Sequence, residues 1–350
     1  MSLRPLYIHI GLGKTGSSAL QSWLSINAAE LARQDIAYAD LSDDARAGKA
    51  SSGNGALLVD ALRDENYLEV ERLLQTVYFP PDTHATGIIS SELLKDIRPP
   101  KLRELHTLLK RLDIEPRIIA FVRSVYERAY STYGQRVKML GHTEPFDEGE
   151  IARSMLTTMA WLRKYQDEFG SALTVLNYDR PDTDIYESFA RVTGIDTAPL
   201  ERIERKVNRS LSHGEQEVQR QLNALHGGDF SAAITRHLVD ADPDKHTAVH
   251  YDPALLERTR EVCADSIAWV NERFSPEPPL VCDLFESRAD PAQSEDTAEI
   301  LRLVAEWATG YQPGPDLADK YREFLPKLAD LCDRLPDNIR AALLARAANA

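Results

Sequence analysis

Residues Leu6 to Leu24, LYIHIGLGKTGSSALQSWL, constrain the fold of this 350-residue chain more than any other stretch. Leu6, Ile8 and Ile10 alternate as in a short buried strand. A loop of small residues follows (Gly11, Gly13, Lys14, Thr15, Gly16), and apolar periodicity from Ser17 onward predicts a helix. Strand, glycine loop and helix together aim backbone N–H groups and a positive dipole end at an anion. Lys14 adds a full charge to that nest. A phosphate or sulfate held by Gly13, Lys14, Thr15, Gly16, Ser17 and Ser18 is the expectation. A Walker A loop needs a glycine five positions before Gly13, and Ile8 stands there, which disfavours a metal-bound nucleoside triphosphate. An ordinary strand–turn–helix stays open as the alternative.

A second segment sharpens the choice. Arg117 to Val122, RIIAFV, is a continuous apolar run, as expected of a central parallel strand covered on both faces. Beyond it, Ser124 can cap a helix on which Val125, Ala129 and Tyr133 share one side. Arg123 falls at the carboxyl end of the strand, where open α/β sheets place their ligand crevice. Ser131 follows eight positions later, about two helical turns on.

In order and spacing, these two segments resemble the sulfotransferases that use 3′-phosphoadenosine-5′-phosphosulfate. GLGKTGSSALQSWL is similar to their 5′-phosphosulfate loop, in the KTGS-type version of bacterial members. VRSVYERAYSTY is similar to their 3′-phosphate motif, an Arg at a strand end with a Ser eight residues on. The resemblance spans roughly residues 6 to 285, with about fifty carrying motif information. It implies a P-loop-like three-layer α/β fold, five parallel strands flanked by helices, and no metal.

The resemblance bears on further residues. Glu92, at the end of the expected strand Thr86 to Ser91, matches the junction where related carbohydrate sulfotransferases keep a catalytic Glu; favouring the positive first turn of a helix is its other reading. Tyr178, after the expected strand Leu173 to Tyr178, matches the position whose aromatic ring meets adenine, and equally suits a core tyrosine. In VNRSLS, Asn208, Arg209 and Ser210 match a loop that closes over the nucleotide, although Ser210 could simply cap the next helix. The implied reaction moves a sulfuryl group to an acceptor hydroxyl or amine, on a small molecule or a glycan. Lys14 neutralises the departing phosphate oxygen, and Glu92 takes the acceptor proton. A kinase-like phosphotransferase and a non-catalytic nucleotide- or glycan-binding protein are the rivals.

A net charge of −14 disfavours a nucleic-acid partner, which calls for a basic footprint. No apolar run reaches the eighteen residues of a membrane span. The three cysteines are too scattered for a disulfide framework or a zinc cluster. With no signal peptide ahead of the first strand, the expectation is a soluble, cytoplasmic, bacterial enzyme.

The pattern divides the chain into a sulfotransferase domain (1–286), a polar linker (287–296) and a helical C-terminal extension (297–350). That extension could pack back on the domain or mediate homo-oligomer formation. One helix is expected over Ser17 to Arg33 and two over Phe146 to Phe169. His246 and His250 have helical metal-pair spacing without a third ligand and read as structural. His9 reads as a core histidine, and His84 is the reserve base.

Overall fold

The computed structural model describes residues 3–39, 52–80, 86–179, 184–203, 209–245, 249–250, 252–283, 296–331 and 337–349. These residues form two compact units. The first is drawn from Met1–Arg128, Ala152–Val207 and Arg260–Asp283, the second from Ala129–Ile151, Asn208–Thr259 and Leu284–Ala350.

The first unit is built on five parallel strands: β1 Arg4–Ile10, β2 Ile36–Tyr38, β3 Thr86–Ser91, β4 Ile114–Val122 and β5 Leu173–Asn177. Their order across the sheet is β2-β3-β1-β4-β5. β1 is central, pairing Ile8 with Ile89 of β3 and with Ile118 of β4. Strands covered on both faces must be apolar on both, and β1 is buried from Leu6 through Ile10. Tyr7 shares one core with Phe121 of β4, Leu20 and Trp23 of the Ser17–Ile26 helix, and Phe189 of the Ile185–Thr193 helix. Helices therefore flank the sheet, as expected of an α/β fold.

Two helix expectations change. The stretch Ser17 to Arg33 is two helices, Ser17–Ile26 and Ala28–Arg33, broken at Asn27. The Asn27 amide donates to the carbonyl of Glu201 at 3.0 Å and accepts from its N–H at 2.8 Å, so a contact 174 residues away sets the break. Conversely, Glu148–Phe169 is one 22-residue helix, not two. Gly149 lies in its first turn, and no glycine or proline interrupts it from Glu150 to Phe169.

The second unit is helical. Its core joins Val218 and Leu222 of His213–His226, Phe230 at the N-cap of the Ser231–Ala241 helix, Ile234 and Leu238 within that helix, and Val304, Trp307, Phe324 and Leu328 of the C-terminal helices. The helices beyond 297 thus pack with 211–239 in one unit. Segments 129–151 and 208–259, expected in the first domain, belong to this unit as well. The expected linker falls outside the described residues except for Asp296, whose side chain caps the Thr297–Gly310 helix.

Candidate functional site

The carboxyl ends of β1, β3, β4 and β5 are in register. Ile10 pairs with Ser91 and Ala120, and Val122 pairs with Asn177. The segments leaving these strands therefore meet at one edge of the sheet. β1 and β4 are neighbours whose chains leave in opposite directions, the switch point at which open α/β sheets form a crevice.

The β1 loop is wound through left-handed backbone. Gly13 (φ 73°), Lys14 (φ 61°) and Gly16 (φ 78°) all have positive φ. For the glycines this is free, while for Lys14 it carries strain on the order of 1–2 kcal/mol. Such a winding turns successive N–H groups to one side. Gly16 leads directly into the Ser17–Ile26 helix, which has no side-chain cap and no acidic residue in its first turn. The hydroxyls of Thr15 and Ser17, 0% and 2% exposed, have no hydrogen-bond partner among the described residues. Buried hydroxyls without partners cost roughly 1–3 kcal/mol each, which a ligand oxygen would return. The Thr15 and Ser17 hydroxyls are thus donors with no partner among the described residues.

Glu92 stands beside it. The Gly11 N–H donates to the Ser91 carbonyl at 3.2 Å, and a Cβ on Gly11 would lie 2.7 Å from Glu92 Cγ and 2.8 Å from Ser17 Oγ. Ser91 caps the turn that starts at Glu92, accepting from the Leu93 N–H at 3.2 Å, and Glu92 is the acidic residue of that first turn, as its other reading expects. The turn is fixed from within and from outside: its own Lys95 Nζ donates to the Glu92 carbonyl at 3.0 Å, and Tyr165 Oη donates to the Leu94 carbonyl at 2.8 Å. Burial pushes the Lys14 ammonium below the ordinary lysine pKa; Glu92 opposes that shift and Arg123 adds to it. Lys14 therefore feels the charges of both Glu92 and Arg123.

All three guanidinium nitrogens of Arg123 are engaged within the protein. It donates to Asp179 at 3.3 Å, to the Lys14 carbonyl at 3.4 Å and to Glu127, both carboxylates being fully buried. Its guanidinium lies 5.4 Å from the Tyr178 ring centre. That ring covers Gly16, where a Cβ would meet it at 2.7 Å. The loop, Glu92, Arg123 and Tyr178 are thus brought together in the first unit.

Ser131 and Ser210 belong to the second unit, and Asn208 and His84 lie outside the described residues. Arg209 is also in the second unit, where all three guanidinium nitrogens are engaged by Glu215 and the carbonyls of Ser210, Leu238 and Asp242. Glu215 in turn closes a capping box with Ser212, so Arg209 as folded is tied to that helix end. His250 stacks on His213 at 3.7 Å, and His246 is outside the described residues.

One residue near the loop was not singled out from the sequence. Arg128, 6% exposed, donates to the carbonyl of Leu12 at 3.0 Å. No protein-family model matches this chain, and no curated protein or solved structure matches it either. No described helix is long and apolar enough to cross a membrane.

Proposed function

We propose that the chain is a sulfotransferase of P-loop-like fold, taking a sulfuryl group from 3′-phosphoadenosine-5′-phosphosulfate to a hydroxyl or amine, with a sugar as the favoured acceptor. The observation that carries this reading is the loop itself: a left-handed N–H nest, an uncapped helix end and two unpartnered buried hydroxyls, with Lys14 on one side and Glu92 on another. Those donors fit the 5′-phosphosulfate. The N–H groups from Thr15 to Ser18 hold it without reorganising, so their stabilisation is available in full at the transition state. The acceptor oxygen or nitrogen bonds to sulfur as the bond from sulfur to the 5′-phosphate oxygen breaks. The electron pair stays on that oxygen, next to Lys14, and the acceptor proton passes to Glu92. Tyr178, against Gly16, offers a face to the adenine.

Calorimetry tests the donor reading. The expected result is binding of 3′-phosphoadenosine-5′-phosphate with equal affinity in the presence and absence of EDTA. Binding of ATP only, and only with Mg²⁺, would overturn it in favour of a phosphotransferase.

The partners of Arg123 favour keeping that second reading in view. A 3′-phosphate has to compete with Asp179 and Glu127 for the guanidinium, whereas a donor with a free 3′-hydroxyl does not. If Arg123 grips the 3′-phosphate, Arg123→Ala weakens binding of 3′-phosphoadenosine-5′-phosphosulfate by tenfold to a hundredfold relative to adenosine-5′-phosphosulfate. That is the worth of a charge-assisted contact of about 1.5–3 kcal/mol. An equal loss for both nucleotides would assign Arg123 to holding the Lys14 carbonyl and the Tyr178–Asp179 turn.

A further inference from the structure

We propose that Arg128 is a positioning residue of the anion loop, turning the Leu12 carbonyl outward so that the loop's N–H groups face the ligand. The inference rests on the loop being an anion site, as proposed above. A nest of N–H groups works only if the carbonyls between them point elsewhere and are satisfied there. Two of the loop's carbonyls go to guanidinium groups from a single stretch of chain. Arg123 Nη1 reaches the Lys14 carbonyl at 3.4 Å and Arg128 Nη2 the Leu12 carbonyl at 3.0 Å.

Arg128 is itself fixed. Its Nη1 donates to Ser154 Oγ at 2.6 Å and to the Ser154 carbonyl at 3.0 Å, and its guanidinium lies 5.5 Å from the centre of the Trp161 ring. A rigid planar fork can hold Leu12 and Ser154 at once in this way; an ammonium has no such geometry. Burying a guanidinium here is costly, and burial lowers its pKa to about 10. An apolar side chain would fill the space without that cost, so what the arginine adds is its direction toward Leu12. It also places a cation behind carbonyl oxygens that would otherwise turn their negative ends toward an incoming anion.

The test measures 3′-phosphoadenosine-5′-phosphate and inorganic pyrophosphate binding to the full chain by calorimetry, with thermal melts to establish folding. Arg128→Ala is expected to weaken both ligands by the same factor, about tenfold. Arg128→Lys should recover part of the loss. Guanidinium chloride at a non-denaturing concentration should recover most of it in the alanine variant, while sodium chloride at equal ionic strength should not. A purely structural role predicts no such rescue. Unchanged affinity in a folded Arg128→Ala chain would overturn the proposal, as would a loss that neither lysine nor guanidinium restores. If Arg128→Ala does not fold, Ser154→Ala, which removes one anchor of the fork, should show a few-fold loss for both ligands; no loss there overturns it too. Pyrophosphate binding by the wild-type chain without nucleotide binding would sink the donor reading and leave Arg128 to be decided on pyrophosphate. Binding of neither would sink both.

Discussion

Replacing Glu92 by Gln is expected to cut turnover by roughly 10²–10⁴-fold while leaving nucleotide affinity nearly unchanged. Gln keeps the shape and one acceptor oxygen, so the packing against Gly11 survives, but it cannot take a proton at neutral pH. Lys14→Ala should behave differently, lowering turnover and weakening the donor together, because Lys14 belongs to the loop proposed to hold the phosphosulfate. The two residues are also coupled, since the Glu92 carboxylate favours the charged form of Lys14 against the burial that lowers its pKa. Glu92→Gln should therefore shift the Lys14 pKa further down, an effect separable from lost turnover by titrating the lysine with NMR. An assay over a panel of sugars, phenols and amines decides the base. Full activity of Glu92→Gln on any acceptor, with loss in His84→Ala, would move that role to His84.

How far the sequence foretold this arrangement depends on how local each signal is. β1, β3, β4 and β5 were legible because a parallel strand covered on both faces is an apolar run of limited length, and each of them overlaps the expected strand. The winding of the β1 loop was legible for a related reason: two of its left-handed positions fall on Gly13 and Gly16, where glycine carries the conformation at no cost. Lys14, strained at φ 61°, is where local preference gives way to the site, and no propensity shows it.

The features that were not legible depend on distant chain. The break at Asn27 answers to Glu201. The helices Ala56–Arg63 and Tyr67–Leu73 went unread; each is about two turns, too short for periodicity to stand out. The Val125–Leu140 helix reads as amphipathic, yet Tyr126, Glu127 and Arg128 are buried along with Val125 and Ala129. A helical arginine is by default a surface residue. Only the carbonyl of Leu12, 116 residues earlier, makes its burial intelligible. The one available signal was its place five residues after Arg123, on the turn of helix that faces the β1 loop.

Acid should destabilise the first unit through a single buried ring. His9, fully buried near the end of β1, bonds Ser90 Oγ through Nδ1 at 2.8 Å and lies edge-on to Phe121 and Phe189. Its Nε2 has no partner among the described residues, and burial pushes its pKa from 6.5 down to about 3. The unfolded chain therefore takes up this proton first. The stability tied to a neutral His9 is whole above pH 6.5 and drains away as the pH falls toward 3. At pH 5 the loss is about 2 kcal/mol, since each pKa unit is worth about 1.4 kcal/mol. Hydrogen exchange of the β1 amides at pH 7 and pH 5 measures it, because those amides open only when the sheet of this unit does. His9→Gln should lower stability at pH 7, where the ring's packing against Phe121 and Phe189 is lost. Its decline between pH 7 and pH 5 should be shallower than that of the wild type by the same amount, about 2 kcal/mol. His226, buried in the second unit and lowered to about 4, remains to destabilise that unit on its own. A His9→Gln chain whose β1 amides keep the full wild-type pH dependence would show that His9 is protonated within the fold, and the reading of its burial would fail.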